Sequence, residues 1–280
     1  MSWHTGRETI DGFSLFYRDW RPREEFGLPV LALHGSLTQS GSWIVLAEAM
    51  QTIRMLCPDQ RGFGLSEDPG SDECAEFASD AIALATKLLP TRYVVMGHSF
   101  ACSIALEVAR TNANVAGVVL VDPVVPMRKP GAPSAPPQIA YADSFATLED
   151  AMHHFRSTEE GAWPDDTLKR FAQDVTLRDS EKGPWRLPYT LERLRRLRVF
   201  TASPASDFNL LAKAKDVRQP LLIFRGGASK RFPAEAEQPF IAAFTSKPKL
   251  VVCPASGHFP ANSDTDVVAA ALKRFVTKIS

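Results

Sequence analysis

The chain has 280 residues, of which 45% are hydrophobic and 23% are charged. Its 32 basic and 32 acidic side chains give a formal net charge of zero at pH 7. A chain of this length buries about three-quarters of its unfolded surface, so its core needs no metal or disulfide for stability. The balanced charge argues against nucleic acid as a partner, because most proteins that bind phosphate backbones carry basic patches. We therefore expect one large globular domain that carries an insertion.

No apolar run in the sequence approaches the roughly twenty residues that span a bilayer, and residues 1–12 are too polar for a secretory signal. The cysteines lie far apart and form no zinc-binding pattern with histidine. We therefore expect free thiols, no bound metal, no membrane association and a cytoplasmic location. The cysteines are Cys57, Cys74, Cys102 and Cys253.

Short β-rich segments alternate with helical segments along the first 123 residues. Strands are predicted at 13–19, 30–34, 55–59, 93–97 and 115–122, and helices at 42–51, 74–89 and 100–110. The same alternation returns near the end of the chain. Strands are predicted there at 221–225 and 250–253, and helices at 234–244 and 264–278. Strands joined by helical crossovers predict an α/β protein whose doubly wound, mostly parallel sheet is covered on both faces.

Residues 124–218 interrupt this alternation. Six prolines between positions 123 and 137 predict a loop or an extended hinge. Helical patterns follow at 147–158, 165–175 and 190–198, without a convincing strand between them. We interpret 124–218 as a helical cap inserted into a core formed by 1–123 and 219–280.

The third predicted cap helix combines one apolar stripe with several arginines. Leucines at 191, 194 and 197 form the stripe. A solvated basic face is the simpler interpretation, and an entrance that attracts anions is the alternative. The arginines are Arg193, Arg195, Arg196 and Arg198.

The motif Gly97-His98-Ser99-Phe100-Ala101 lies between a predicted strand and a predicted helix. A tight turn at this place holds a serine in a strained conformation and projects its hydroxyl above the sheet, as a nucleophile elbow requires. The small residues at 97 and 101 allow the strand and the helix to approach closely. The motif therefore predicts Ser99 as a nucleophile.

Two further segments supply the groups that such a serine needs. His34-Gly35-Ser36 ends a predicted strand, so the backbone N–H of Ser36 can join that of Phe100 in an oxyanion hole. His258 lies on the loop between the last strand and the last helix, from which an imidazole can act as a general base on Ser99. We expect His34 to brace its loop rather than to react.

With these motifs, the chain resembles the α/β-hydrolase superfamily. The resemblance rests on four motifs in order: His34-Gly35, residues 59–66 (DQRGFGLS, similar to D-x-R-G-x-G-x-S), the elbow at Ser99, and the terminal Gly257-His258. It implies a structural role for Asp59 and Arg61, and it implies neither a metal nor an organic cofactor.

The acid of the triad departs from the usual pattern of the family. In most members it follows the strand after the cap in a G-x-x-D turn, but residues 226–231 contain no carboxylate. Other members carry the acid one strand earlier, where this chain has Asp122. We therefore predict that Asp122 contacts His258. The alternatives are Glu235 as the acid or a Ser–His dyad, and Ser229 offers only an uncharged hydroxyl.

These residues predict a serine hydrolase that acts, through an acyl-enzyme, on a small and largely apolar ester, lactone, thioester or activated ketone. We expect cap aromatics, namely Phe155, Trp163 and Trp185, to form apolar pocket walls. A cofactor-independent dioxygenase of N-heteroaromatic compounds, with a His–Asp base, is one alternative. A non-catalytic ligand receptor on the same fold is another. The substrate is a small molecule in each case, and the oligomeric state is left open.

Overall fold

The computed structural model describes residues 1–89, 92–125, 144–158, 163–203 and 206–280. Their strands form an eight-stranded sheet and a separate two-stranded ribbon, β7 with β8. In chain order the strands are β1 (Ser2–Ile10), β2 (Phe13–Arg21), β3 (Val30–Leu33), β4 (Met55–Pro58), β5 (Tyr93–His98), β6 (Val115–Val121), β7 (Ser144–Phe145), β8 (Trp185–Arg186), β9 (Leu221–Gly226) and β10 (Lys249–Cys253).

The large sheet has the order β1-β2-β4-β3-β5-β6-β9-β10. The strands from β4 to β10 in this order run parallel, and β2 is antiparallel to both β1 and β4. Parallel strands end at the same edge of a sheet, so the residues that follow β3, β5, β6 and β9 come close together. This shared edge positions the candidate site.

Helices cover both faces of the sheet. They are α1 (Ile44–Met50), α2 (Cys74–Leu88), α3 (Ala101–Thr111), α4 (Leu148–Thr158), α5 (Asp165–Val175), α6 (Leu191–Ala202), α7 (Leu210–Ala214), α8 (Glu237–Ala242), α9 (Pro260–Ser263) and α10 (Thr265–Ile279). Single 3-10 turns lie at Ser40–Trp43 and Ala234–Ala236. None of the helices in the described ranges is long and apolar enough to cross a membrane.

The central strands are apolar on both sides because each face of the sheet contributes to its own core. Along β6, Val118 and Leu120 pack into one apolar cluster, whereas Val119 and Val121 pack into the other. This division follows from the two-residue period of a strand. The predicted fold class, a mostly parallel and doubly wound α/β sheet, is confirmed.

The first strand was absent from the sequence-based prediction. β1 pairs with β2 along its whole length and lies at the edge of the sheet, and most of its side chains reach solvent. The two strands are joined by Asp11 and Gly12, both with positive φ (46° and 88°). Two residues with positive φ form the turn that suits a tight β-hairpin.

Between β6 and β9 the described residues form α4 to α7 and the β7–β8 ribbon. The helices predicted at 147–158, 165–175 and 190–198 correspond to α4, α5 and α6. Most of the predicted proline-rich hinge, from 126 to 137, lies outside the described residues. The division into a core of 1–123 and 219–280 and a cap of 124–218 stays a prediction.

Candidate active site

Ser99 occupies a sharp turn between β5 and α3. Its φ is +58°, a left-handed conformation that serine adopts only where the surrounding structure imposes it. The Ser99 N–H donates a hydrogen bond of 3.0 Å to the Val121 carbonyl of the neighbouring strand. A Cβ at Gly97 would overlap the Ala101 carbonyl, so the close approach of β5 and α3 requires glycine there. The elbow predicted from the sequence motif therefore has the expected geometry.

His258 links Ser99 to Asp122. It lies on the loop between β10 and α9, and its Nε2 is 2.9 Å from Ser99 Oγ. Its Nδ1 is 2.7 Å from Asp122 Oδ2. A carboxylate only accepts hydrogen bonds, so Nδ1 carries the proton and Nε2 is left to accept from the Ser99 hydroxyl. The three residues thus form a continuous hydrogen-bonded chain with the tautomer that a general base needs.

Asp122 follows β6 directly, at 0% exposure and with a φ of +43°. Its Oδ1 accepts a hydrogen bond of 2.9 Å from the Gly226 N–H. Its Oδ2 accepts one of 2.6 Å from the Ser229 hydroxyl in addition to that from His258. These donors offset the cost of burying a charged carboxylate, and they fix its orientation toward the imidazole.

Ser229 occupies the turn after β9, where the family pattern places the acid. Its hydroxyl donates to Asp122 and accepts from the backbone N–H groups of Arg231 and Phe232, at 3.1 and 3.2 Å. The structure therefore places Ser229 on the carboxylate rather than directly on His258. Glu235, the alternative acid, is exposed in the 3-10 turn Ala234–Ala236.

The residue before the nucleophile supports the base. His98 Nε2 is 2.7 Å from the backbone carbonyl of His258, and the two imidazole rings lie 4.8 Å apart. Burial lowers the pKa of His98 well below its ordinary value, so the ring is neutral and this nitrogen donates. A Cβ at Gly35 would lie 2.7 Å from His98 Nδ1. Sequence reasoning gave His98 no role, and its place beside Ser99 was the available signal.

His34 braces the loop that carries Ser36, as expected. The Gln60 N–H donates to its Nε2 at 3.0 Å, so its Nδ1 carries a proton and donates to the Gly35 carbonyl at 2.8 Å. Burial lowers the pKa of His34 to about 4, which keeps the ring neutral.

The DQRG loop is structural, in agreement with the family pattern. Asp59 accepts hydrogen bonds from the backbone N–H groups of Ser40 and Leu65, each at 2.8 Å. Arg61 forms a two-pronged ion pair with Asp80 at 2.6 and 2.7 Å. Both residues therefore hold loops together away from the hydroxyl of Ser99.

A cavity of about 380 Å³ opens onto Ser99 and His258. Its core side includes Ser36 and Phe100, the two residues predicted to supply the oxyanion hole. Phe100 directly precedes α3 as its N-cap residue, next to the first-turn N–H groups that have no partner within the helix. Thr201 near the end of α6 and Phe208 before α7 also line the cavity, where Phe208 stacks on Phe100 with ring centroids 5.8 Å apart. The segment between β6 and β9 thus supplies one side of the cavity.

The aromatic residues predicted as pocket walls are not among the residues that line this cavity. Phe155 packs on Phe171, with ring centroids 5.2 Å apart. Trp163 contacts Phe171 and lies behind the cavity, 5.8 Å from the ring of Phe259. Trp185 lies under the guanidinium of Arg178. Phe208, rather than any of these three, reaches the cavity from the segment between β6 and β9.

The arginines of α6 divide between two environments. Arg193 is only 2% exposed, pairs with Asp72 and lies 5.0 Å over the ring of Phe63. Arg196 pairs with Asp68 at 2.7 Å and with Asp72 at 2.8 Å. The interpretation of this helix as a solvated basic face is therefore wrong for Arg193.

The free cysteines are buried, and one lies close to the nucleophile. Cys102 Sγ is 3.1 Å from the Gly97 carbonyl, and burial raises the pKa of this thiol well above its ordinary value. It therefore stays protonated and does not compete with Ser99 as a nucleophile. Within the described ranges, no three or more His, Cys, Asp or Glu side chains form a cluster suited to a metal ion.

A profile of the alpha/beta hydrolase family matches residues 30–271. The chain belongs to this family. The chain is also similar in sequence to a non-heme chloroperoxidase from Streptomyces lividans, with 36% identity over 124 residues, 42% of this chain and 44% of that protein. The chain therefore matches less than half the length of this curated relative.

Solved structures of other alpha/beta hydrolases cover nearly the whole chain. An E-2-(acetamidomethylene)succinate hydrolase superposes with a TM-score of 0.77 at 20% identity, over 98% of this chain and 99% of that chain. A thermophilic esterase from Thermogutta terrifontis superposes with a TM-score of 0.68 at 18% identity, over 99% of both chains. At these identities the likeness establishes a shared fold.

Proposed function

We propose that this chain is a serine hydrolase that cleaves a small carboxylic ester, lactone, thioester or activated ketone. The observation that carries the proposal is the chain of hydrogen bonds from Asp122 through His258 to Ser99, which ends at the wall of a cavity. This arrangement supplies a nucleophile, a base of the right tautomer and a carboxylate that stabilises the imidazolium.

In the first half of the reaction, Ser99 Oγ attacks the substrate carbonyl carbon while His258 Nε2 accepts the hydroxyl proton. The carbonyl oxygen becomes an oxyanion that accepts hydrogen bonds from the N–H groups of Ser36 and Phe100. The bond to the leaving group then breaks, and His258 returns its proton to that group. Ser99 is left as an acyl ester.

In the second half, a water molecule replaces the leaving group. His258 takes a proton from this water, which attacks the acyl carbon and forms a second oxyanion in the same place. Collapse of this intermediate releases the carboxylic acid, and the proton returns to Ser99. Asp122 stays ionised throughout, because its role is to orient the imidazole and to stabilise its positive charge.

The chloroperoxidase relative favours a second candidate, in which hydrogen peroxide takes the place of water. Attack of peroxide on the acyl-Ser99 ester would release a peroxy acid and restore the serine hydroxyl. That peroxy acid could then oxidise chloride to hypochlorous acid and return to the carboxylic acid. Peroxide-dependent chlorination of a reporter dye, lost in Ser99→Ala, separates this candidate from simple hydrolysis.

Labelling with a fluorophosphonate tests the proposal. We expect one covalent adduct, located on Ser99 by peptide mass spectrometry and absent from Ser99→Ala. Ser103→Ala is the matched control, because Ser103 also lines the cavity but donates its hydroxyl to the Phe208 carbonyl at 2.8 Å. An adduct on Ser103, or none on a folded protein, would show that Ser99 is not the nucleophile.

A further inference from the structure

Two arginines line the cavity beside Ser99. Arg198 and Arg231 both line it, and none of the described residues that line it is acidic. We propose that the substrate carries a carboxylate in addition to the carbonyl that Ser99 attacks, and that these two arginines bind it. The inference rests on the proposed hydrolase function and specifies the substrate class.

The two guanidinium groups reach the cavity from different elements, each with an anchored backbone. Arg231 follows β9, where its N–H donates to Ser229 Oγ at 3.1 Å and its carbonyl accepts from the Val125 N–H at 3.0 Å. Arg198 lies on α6, which the Arg196 ion pairs attach to Asp68 and Asp72. The positions of both arginines are therefore set by the fold and not by a free loop.

The remaining walls strengthen the preference for an anion. Phe208, Leu210 and Phe259 are among the apolar residues that line the cavity together with the arginines. Apolar walls exclude water and lower the local dielectric constant, which increases the attraction between a guanidinium and a carboxylate. The planar, forked guanidinium also matches the two oxygens of a carboxylate.

The carboxylate of Asp122 is not among the groups that line the cavity. Asp122 lies behind His258, is fully buried and already accepts three hydrogen bonds. Positive charge in the cavity also favours the oxyanion that develops near Ser36 and Phe100. A substrate with a short apolar body and a terminal carboxylate therefore fits the walls, the charge and the chemistry together.

Matched esters test this proposal. The p-nitrophenyl monoesters of adipic and pimelic acid carry a terminal carboxylate, and the corresponding adipamate and pimelamate esters carry a neutral amide of the same shape. We expect kcat/KM for at least one acid to exceed that of its amide by about 10- to 100-fold, the range of a charge-assisted contact. Arg231→Gln and Arg198→Gln should each reduce this ratio about 10-fold.

Arg195→Gln is the matched control, because Arg195 is exposed on α6 and does not line the cavity. It removes the same charge from the same helix and should retain the wild-type ratio. Equal rates for acid and amide at both chain lengths would overturn the proposal, as would a preference for the acid that survives both cavity variants.

Binding without catalysis separates this proposal from the proposed function. In Ser99→Ala, calorimetry should detect adipate binding that is weakened about 10-fold by Arg231→Gln and unchanged by Arg195→Gln. If no ester is cleaved and Ser99 is not labelled, but adipate binds in this manner, the hydrolase function fails and the carboxylate site stands. If esters are cleaved but adipate does not bind, the carboxylate site fails.

Discussion

The proposed acid, Asp122, lies after a different strand from the one that carries the acid in most members of the family. Asp122 follows β6, whereas the turn after β9 holds the hydroxyl of Ser229 against the same carboxylate oxygen that accepts from His258. β6 and β9 are neighbours, and they pair in register up to Val121 and Phe224. Side chains that follow either strand can therefore come within reach of His258. A carboxylate on either strand end can therefore face the imidazole.

Replacement of Asp122 by asparagine should lower kcat by about 10³- to 10⁴-fold, the size of the loss when a triad aspartate becomes an amide. An amide can present its NH₂ group to His258 Nδ1, which leaves the proton on Nε2 and removes the acceptor for the serine hydroxyl. Steady-state kinetics with a p-nitrophenyl ester measures the loss, and circular dichroism checks the fold.

Ser229→Ala is the companion variant and should lower kcat by at most about 10- to 100-fold, because it removes one hydrogen bond to a charged carboxylate, worth about 1.5–3 kcal/mol, and leaves the acceptor for His258 Nδ1 in place. Asp122 keeps its bonds to Gly226 and His258 in this variant. A loss as large as that of Asp122→Asn would contradict this prediction, because it would show that the Ser229 hydroxyl matters as much for catalysis as the Asp122 carboxylate.

The sequence was sufficient to predict the residues that lie at the carboxyl ends of strands and supply a particular chemical group. Ser99, His258 and Asp122 come together as predicted, because parallel strands bring their carboxyl ends to one edge. The pocket wall was not predictable in the same way. A helical aromatic such as Phe155 can face the core or the cavity, and only the packing of α4 on α5 decides that it meets Phe171.

Helix α6 has two roles: ion pairs attach it to the loop that carries Asp68 and Asp72, and its C-terminal residues line the cavity. Its leucines at 194 and 197 are buried as the apolar stripe predicts, yet Arg193 is buried beside them. The loop that carries Asp68 and Asp72 faces this side of the helix and compensates the charge. Sequence periodicity cannot reveal such a partner, since it lies more than a hundred residues away along the chain.

Arg193→Met should lower the free energy of unfolding by about 1–3 kcal/mol, because Asp72 loses one of its two charged partners and keeps Arg196. Arg195→Met on the exposed side of the same helix should change it by less than about 0.5 kcal/mol. Urea denaturation of both variants measures the difference. Similar values for the two would mean that the ion pair adds nothing to the attachment of α6.

The first strand illustrates a different limit of sequence analysis. β1 is polar and lies at the edge of the sheet, so it lacks the apolar run by which the central strands were found. A local signal was nevertheless present, because Asp-Gly is a preferred dipeptide for a two-residue hairpin turn. Asp11 and Gly12 occupy that turn between Ile10 and Phe13. Turn chemistry would have located this strand where hydrophobicity did not.

For the whole molecule, two buried neutral histidines make stability depend on pH. Burial lowers the pKa of His34 to about 4 and that of His98 well below its ordinary value. Below pH of about 6.5 the unfolded chain binds protons at both rings while the folded chain does not. Stability is therefore fully present above that pH and falls as the pH decreases toward 4.

Urea denaturation between pH 5 and 7.5 should show this loss, with His34 contributing up to about 1.4 kcal/mol per pH unit. His34→Gln should reduce the slope by about one proton, and the exposed His153→Gln should leave it unchanged. An identical slope in His34→Gln and in the unmodified protein would contradict the assignment of this pH dependence to His34.

The location of the base on the last strand's loop has a consequence for inactivation. β10 is an edge strand that pairs with β9 alone in the sheet, whereas Ser99 and Asp122 follow the central strands β5 and β6. Fraying of this edge would carry His258 away while the rest of the molecule stays folded, since local opening requires less free energy than global unfolding. Trp3 and Trp20 lie on β1 and β2 at the opposite edge of the sheet, whereas Trp163 lies 5.8 Å from Phe259, next to His258. Rising urea should therefore abolish esterase activity before the far-ultraviolet circular dichroism of the helices changes, because the loop that carries His258 opens before the rest of the molecule unfolds.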